Sequence, residues 1–377
     1  MAASDELALP SLLEAWRAPT GGKRVLKGSS LRLSAGQGRG QGSKQGGDAV
    51  RARLERIVRK APEVMVKISG RQRGGGHVAA HLEYIGRHGK LDVETGDGER
   101  ITSVAGLRAL AADWEALDDA TNRGRARPTS ISMVLSMPAG IDPDTVHDAA
   151  RAFARVELGE CFSYAMALHT DTDHPHVHVT VAAEGLNGTR FNPRKADLHA
   201  FRESFAHELR ARGVECEATP RRARGLVRKS DAPAVRQIAL REERRPSARG
   251  GEVIRTHRRI RSDAVRLARS DTPDYRVQDD QALRRQRAIR GAYEEAAQLL
   301  ERSGSADDRA LAQSVRSFVG DMPMPLSRSA AMAVEIGRRD RAVVKDEGEG
   351  DRRGRASPAV SPPSRAPAPQ KGPDRDR

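Results

Sequence analysis

The stretch His169–Val179 (HTDTDHPHVHV) decides the fold prediction. An apolar run, Cys161–Leu168 (CFSYAMAL), precedes it, and valines at 177, 179 and 181 alternate with other residues after it. Both flanks have the composition and the period of two that are typical of β-strands. The sequence therefore predicts two antiparallel strands joined by a tight loop across residues 170–175.

Pairing across that loop brings three histidines together. His169 lies opposite His176, and His178 follows two residues later, so all three side chains point to one face. Three neutral imidazoles with a fourth position open are the donor set of a catalytic metal site. Asp171 and Asp173 in the loop are placed to accept hydrogen bonds from the imidazoles and fix their tautomers. The alternative is a histidine-rich surface hairpin or an incidental metal site.

The same alternation separates the other side chains of the hairpin. Small residues share the histidine face, and bulky residues occupy the opposite face, which we expect to be core. The small set is Ala165, Ala167 and Thr180, and the bulky set is Tyr164, Met166, Leu168, Val177, Val179 and Val181.

Composition limits the class of protein. With 37% hydrophobic and 3% aromatic residues in 377, we expect one modest folded core with appendages. The net charge of +15 favours a polyanionic partner, of which nucleic acid is the leading candidate. Two cysteines, Cys161 and Cys216, are too few for a disulfide scaffold. We find no membrane span or secretory signal, which indicates a cytoplasmic protein without membrane insertion.

A glycine- and arginine-rich turn, Ser69–Gly76, follows a predicted strand at Val64–Ile68. Glycines allow the backbone to approach a ligand closely, and arginines bind phosphate. We therefore expect Arg71 and Arg73 to contact DNA.

The helix predicted at His77–His88 carries a second candidate. His77, His81, Tyr84 and His88 share one stripe of this helix. A tyrosine can attack a phosphodiester if a metal or a base assists its phenol. The alternative is a tyrosine packed at the helix edge with its hydroxyl in water.

The remaining elements complete an α+β prediction, a mostly antiparallel sheet with helices packed on one face. We expect the histidine face to be open, or covered only by the Tyr84 helix. The elements are a helix around Leu107–Trp114, a strand at Thr129–Met137, a helix capped by Asp142 and running to Leu158, a helix from Asn192 to Gly213, and an edge strand at Val214–Glu217.

Four regions follow from the composition. They are a flexible basic leader (1–60), a folded domain (61–229), a charged, partly helical region (230–341) and a disordered Pro/Arg-rich tail (342–377). Arg221, Arg222 and Arg224 form a basic cluster just outside the core, suited either to phosphate contacts or to a solvated linker.

Together these motifs resemble the conjugative relaxases, most closely the type that includes the T-DNA border endonuclease of plant-transforming bacteria. HLEYIGRHGKLDVE is similar to the first motif and places the nucleophile at Tyr84. ISMVLSMPAG is similar to the second, with Ser136 as the DNA contact, and HTDTDHPHVHVTV to the third. Ala182 and Ala183 stand where relatives often have an Asn. The resemblance extends to about Gly225.

The resemblance implies a metal-dependent, HUH-type enzyme that nicks one DNA strand at an origin of transfer. Tyr84 would remain linked to the 5′ end, while His169, His176 and His178 would hold Mg²⁺ or Mn²⁺, although imidazole ligation also suits zinc. His169 is a second candidate for proton acceptor, oriented by Asp171. The implied partners are single-stranded or supercoiled DNA at that origin, accessory mobilisation proteins and a type IV secretion coupling protein.

Other functions remain open from the sequence. A replication initiator or a transposase uses the same tyrosine chemistry at another locus. A metallohydrolase would use water and leave Tyr84 as a bystander. A non-catalytic DNA-binding accessory protein of a mobilisation complex would need neither the tyrosine nor the histidines. Trapping a covalent protein–DNA product separates the tyrosine enzymes from the other two classes.

Overall fold

The computed structural model describes residues 10–16, 43–122, 127–159, 161–225, 252–270 and 280–337. The elements along these segments are α1 (Pro10–Trp16), α2 (Ser43–Val58), β1 (Met65–Gln72), α3 (Gly75–Ile85), β2 (Val93–Thr95), β3 (Arg100–Ile101), α4 (Val104–Asn122), β4 (Ser130–Ser136), α5 (Pro143–Glu157), β5 (Tyr164–His169), β6 (His176–Ala182), α6 (Lys195–Ala211), α7 (Glu252–Ala268), α8 (Asp280–Arg302) and α9 (Ala306–Asp321). A short 3₁₀ helix covers Arg221–Arg224.

An antiparallel sheet organises the fold, with the strand order β1-β4-β6-β5-β2-β3. The predicted α+β class is confirmed. The histidine hairpin supplies two central strands, and its register places His169 opposite His176 and Ala167 opposite His178. This register follows from the short loop, because a one-residue slip would turn every valine of β6 away from the core.

Helices cover both faces of the sheet, whereas the sequence predicted helices on one face. Helices α5 and α6 pack on the face that carries the valines of β6, and this core is apolar. Helices α3 and α4 pack on the histidine face, where Ala165 and Ala167 meet Leu82 and Ile85. The helix with Tyr84 is therefore accompanied by a second helix, which joins it through Trp114 and Leu107.

A separate apolar cluster joins helices from distant parts of the chain. Leu12 and Trp16 of α1 and Leu54 of α2 are buried against Tyr293 of α8. The indole N–H of Trp16 donates to the Tyr293 hydroxyl over 3.1 Å. Apolar residues three and four apart give α1 and α2 a buried stripe. These helices lie within the segment predicted as a flexible leader, of which the structure describes residues 10–16 and 43–60.

Two compact units divide the chain. The described residues within Met1–Arg228 and Gln281–Met324 form the first, so helices α8 and α9 belong with the sheet rather than with the predicted 230–341 region. The second contains α7 and a helix at 328–337. The predicted disordered tail, 342–377, lies outside the described residues. Among the described helices, none combines the length and apolar composition that crossing a membrane requires.

Local departures from the prediction have physical causes. Strand β1 extends through the predicted turn to Gln72, with a bulge between Ile68 and Gly70. Strands β2 and β3 are only three and two residues long, too short for a recognisable period. The predicted edge strand 214–217 is reduced to one bridge between Glu63 and Glu217. Both cysteines are free, and Cys216 is buried.

Candidate active site

Three imidazoles converge on one face of the sheet. The ring centroids of His169 and His178 lie 4.4 Å apart, and each lies 5.3 Å from the ring of His176. One nitrogen from each ring falls within 4.8 Å of the others. His169 and His178 are buried, with 1% and 8% of their surface exposed, and His176 is half-buried. The small side chains of Ala165 and Ala167 leave room for this packing.

Hydrogen bonds define which nitrogen of each ring is free to bind a metal. His169 Nε2 lies 2.7 Å from the Ile85 carbonyl oxygen, and His176 Nδ1 lies 3.0 Å from the His174 carbonyl oxygen. A carbonyl only accepts, so each of these nitrogens carries the proton. The buried Nδ1 of His178 has no hydrogen-bond partner among the described residues. Carbonyl-oriented imidazoles and an unpartnered buried nitrogen fit a divalent metal site.

Burial favours the neutral, metal-binding form of His178 and of His169. Burial lowers the pKa of His178 to about 3, and the positive charges that His169, His176, His81 and Arg87 can carry add to this effect. Burial also lowers the pKa of His169 below its ordinary value. Because a cation requires the unprotonated nitrogen, the site is prepared for one at neutral pH.

Tyr84 lies beside these rings, at the last turn of α3. Its ring centroid is 6.1 Å from that of His178 and 6.5 Å from that of His169. Half of the side chain is exposed. The structure therefore brings together a tyrosine and a histidine cluster that lie 85 positions apart, counting from Tyr84 to His169. The exposed phenol is open to a large substrate.

Arg87 links Tyr84, His169 and Asp171. Its guanidinium carbon lies 5.5 Å from the Tyr84 ring centroid, and its Nη2 lies 3.2 Å from His169 Nδ1. The same nitrogen forms an ion pair with Asp171. Asp171 thus contacts Arg87, while the acceptor that orients His169 is the carbonyl of Ile85. Sequence reasoning had placed Asp171 in that orienting role.

His81 is a further site residue that sequence reasoning left without a role. Its ring stacks with Tyr84, with centroids 6.2 Å apart and an angle of 28° between the planes. His81 Nε2 lies 2.7 Å from the hydroxyl of Ser132, which in turn donates to Gln72. Burial lowers the pKa of His81. The spacing of three between His81 and Tyr84 was the sequence signal for this contact.

The residues expected to bind DNA fall into separate places. Ser136 pairs with His176 and shares its face of the sheet. Arg71 pairs with Ile131, a residue of the valine-side core, and donates to Asn192 over 3.2 Å. The bulge in β1 turns Arg71 to the face opposite the imidazoles. Arg73 is exposed just after β1.

Other polar groups occupy places that were expected to receive phosphate. At the N-terminus of α3, the Gly75 N–H donates to a carboxylate oxygen of Glu115 over 2.6 Å, so an acid covers the glycine-rich turn. Arg222 lies in the 3₁₀ helix between Arg221 and Arg224. Arg221 pairs with Glu63 at 3.6 Å, and Arg224 donates to the Ala61 carbonyl.

Met65 and Lys67 were not singled out from the sequence, although they share the imidazole face. Met65 pairs with Ser136, and Lys67 pairs with Val134, which itself pairs with His178. Both side chains are exposed, Met65 by 49%. A signal was available, because both residues precede the bulge and alternate with buried Val66.

The fold and the site define an antiparallel-sheet protein with a histidine triad beside an exposed tyrosine. Residues 84–213 match the family model of the MobA/VirD2-like relaxase nuclease domain. This segment is therefore similar to a relaxase nuclease domain, and the relaxase resemblance is confirmed. The match begins at the tyrosine and includes all three histidines.

Comparison with whole proteins adds little to this assignment. A solved structure reported as "Molecular Basis of Vancomycin Resistance Transfer in Staphylococcus aureus" is 14% identical, with a TM-score of 0.29. The similarity covers 42% of this chain and 99% of that one. No curated protein matches the chain.

Proposed function

We propose that this protein is a DNA relaxase that cleaves one strand at an origin of transfer, with Tyr84 as the nucleophile. One observation carries the proposal: the exposed Tyr84 ring lies 6.1 Å and 6.5 Å from two rings of a histidine cluster suited to a metal. A plain metallohydrolase has no need of an exposed tyrosine at this position.

The reaction is a transesterification. The Tyr84 oxygen forms a bond to the scissile phosphorus, and the bond from phosphorus to the 3′ oxygen breaks. The phenol loses its proton, and the departing 3′ oxygen gains one. One phosphodiester replaces another, so the 5′-phosphotyrosine product can be resealed by the 3′ hydroxyl. This reversibility suits the start and the end of conjugative transfer.

The residues around Tyr84 have separate roles in this reaction. His81 stacks on the phenol and holds its ring, while Arg87 approaches the same ring with a positive charge. One nitrogen of His169 converges with those of His176 and His178, so we assign His169 as a ligand. The exposed phenol of Tyr84 then loses its proton to solvent. A divalent cation held by His169, His176 and His178, either Mg²⁺, Mn²⁺ or zinc, would neutralise charge on a nonbridging phosphate oxygen.

The DNA strand would cross the imidazole face toward the free edge of the sheet. Ser136 and Met65 continue the row that begins at His169 and His176. Neighbouring strands are about 4.8 Å apart, which places Met65 roughly 10 Å from His176. An exposed apolar side chain suits contact with a base, and Lys67 beside it suits a phosphate. Accessory mobilisation proteins and a secretion coupling protein would act with the relaxase in the cytoplasm.

Covalent trapping tests this function. The full chain is incubated with Mn²⁺ and single-stranded oligonucleotides tiled across the replicon that encodes it, and the products are separated under denaturing conditions. We expect one oligonucleotide to yield a protein–DNA adduct through its 5′ phosphate. Tyr84→Phe removes only the attacking oxygen, so the adduct should fall at least 1,000-fold, on the order of a lost nucleophile.

Tyr164→Phe is the matched control for this test. It removes the same atom from a tyrosine on the opposite face of β5, where only 5% of the side chain is exposed. Adduct formation should stay at the wild-type level. Nicking without any adduct would favour the hydrolase, and an adduct in the Y84F protein would end the assignment of Tyr84.

A further inference from the structure

Arg87 occupies an unusual backbone position directly after α3. Its φ is +51°, that of His88 is +56°, and that of Gly89 is +82°. Left-handed backbone is unfavourable for arginine and histidine, and such residues tend to mark functional sites. The Arg87 N–H donates to the Tyr84 carbonyl over 3.1 Å, and the Gly89 N–H donates to the Gly86 carbonyl over 3.0 Å. The backbone therefore fixes where the Arg87 side chain begins.

We propose that Arg87 competes with the divalent cation for His169 and so limits how tightly the cation binds. This inference rests on the proposed function, because it assigns the three imidazoles as metal ligands. Without a cation, the Arg87 guanidinium donates a hydrogen bond to the lone pair of His169. A bound cation takes that lone pair and releases Arg87.

The hydrogen bonds of His169 support the competition. Its Nε2 donates to the Ile85 carbonyl over 2.7 Å, so the neutral ring has its lone pair on Nδ1. Arg87 Nη2 donates to that same nitrogen over 3.2 Å. A guanidinium nitrogen and a metal ion cannot share one lone pair. If the Ile85 bond is kept, as is usual for metal-binding histidines, binding at Nδ1 displaces Arg87.

Charge acts in the same direction as geometry. The guanidinium carries a positive charge, and it lies in contact with the proposed ligand of a doubly positive ion. Arg87 pairs with the carboxylate of Asp171, which is half exposed and therefore screened by solvent. The repulsion is therefore only partly compensated within the site.

Besides His169, the guanidinium has two neighbours near the nucleophile, the Tyr84 ring and Asp171. Asp171, the ion-pair partner of Arg87, is in the loop between β5 and β6. The Arg87 guanidinium carbon lies 5.5 Å from the Tyr84 ring centroid. From there it can donate to a phosphate oxygen, which arginine does well. A DNA phosphate would then stabilise the released position, and DNA and cation would strengthen the binding of each other.

Calorimetric titration of the full chain with Mn²⁺, without DNA, tests the competition. Arg87→Gln keeps a polar side chain but removes the charge, and we expect it to tighten Mn²⁺ binding roughly tenfold, a typical coupling between neighbouring sites. Arg87→Lys keeps the charge without the planar fork and should lie between R87Q and wild type. Thermal melting verifies that each variant is folded.

Two controls locate the effect. Arg108→Gln removes a positive charge from α4, where Arg108 pairs with Glu83, the neighbour of Tyr84, over 2.7 Å. Its Mn²⁺ affinity should equal that of wild type. In a His169→Ala background, Arg87→Gln should no longer tighten binding, because the contested lone pair is gone.

The outcomes separate this inference from the nicking function. Unchanged or weaker Mn²⁺ binding by folded R87Q, or no binding by either protein, overturns the competition. Tighter binding supports it, even if oligonucleotides yield no adduct, because the titration contains neither DNA nor reaction. An adduct with unchanged Mn²⁺ affinity would keep the relaxase function and remove the role of Arg87.

Discussion

The two faces of the sheet are built from alternate residues of the same strands, yet they differ in almost every physical property. Val177 and Val179 face an apolar core beneath α5 and α6. His176 and His178, their neighbours in sequence, face a polar site with an exposed tyrosine. Because side chains alternate along a strand, the seven residues of β6 contribute to the core on one face and to the candidate site on the other.

Two buried polar groups show the same difference in detail. Glu217, only 1% exposed, accepts hydrogen bonds from Arg56, Thr219 and the backbone N–H of Ala218. His178 keeps a buried nitrogen without a partner among the described residues. A buried group whose bonds are complete stabilises the fold. At His178 the unmet bond falls within a cluster of three imidazoles, which suits a ligand that the chain itself does not supply.

The largest effect should come from substitutions on opposite faces. His176→Ala removes a half-buried ligand and should reduce nicking on the order of 100-fold or more, with little change in the free energy of unfolding. Met133→Ala, in the dry core, should lower that free energy by about 2–5 kcal/mol and leave nicking by the folded fraction unchanged. Chemical denaturation and adduct yield measure the two effects.

The reverse pattern would contradict the comparison. If H176A lost most of its stability while M133A lost its nicking at temperatures where it is folded, chemistry and stability would not divide between the faces. The strand pairing of Met133 with Val179 and of Ser136 with His176 keeps both substitutions on the same pair of strands.

Glu217 gives a smaller effect that depends on pH. Burial by itself would raise the pKa of Glu217, but Arg53, Thr219 and Arg56 outweigh it and hold the pKa below its ordinary value. A carboxyl group whose pKa is lowered on folding stabilises the folded state at pH values above its unfolded pKa, near 4.5. That stabilisation is lost as the pH falls through the folded pKa. Glu217→Gln should therefore cost about 2 kcal/mol at pH 7 and progressively less in acid.

Denaturation curves at pH 7, 5 and 4 check this expectation. Glu203→Gln is a suitable control, because Glu203 also pairs with Arg53 but is about one-third exposed. Substitution of Glu203 should cost less free energy of unfolding, because solvent screens its ion pair. A constant difference between E217Q and wild type across the range would mean that Glu217 has the same pKa in the folded and unfolded states.

The hairpin register was predictable because a tight loop and alternating valines allow only one pairing. The histidine cluster followed from that register. The approach of Tyr84 did not, since no local pattern connects α3 to β5, and only the family resemblance suggested it. The contacts of Arg87 could not be predicted from the sequence either. They require both the left-handed backbone at Arg87 and the approach of the loop that carries Asp171.

Elsewhere, tertiary contacts overrode composition. Helices α1 and α2 belong to a segment whose glycines and basic residues predicted a flexible leader. However, Trp16 of α1 and Leu54 of α2 are buried in one cluster with Tyr293, which lies nearly three hundred residues after Trp16 and more than two hundred after Leu54. Composition predicted a charged, partly helical region at 230–341, and within it α8 carries the fully buried Tyr293. Apolar spacing was visible in each segment, but its partner was not.

The smallest effect tests the bulge in β1, which bears on the predicted DNA contact of Arg71. One extra residue between Ile68 and Gly70 leaves Lys67 on the imidazole face and turns Arg71 to the opposite one. Lys67→Ala should weaken binding of a single-stranded oligonucleotide several-fold and reduce the slope of log affinity against log salt by about 0.7, the value for one phosphate contact on a single strand. Arg71→Ala removes a charge of the same sign from the same strand and should change neither quantity.

Fluorescence anisotropy at several salt concentrations measures both the affinity and its salt dependence. If R71A carried the loss and K67A bound like wild type, the strand would follow the valine side of the sheet, and the route proposed from His176 through Ser136 to Met65 would be wrong.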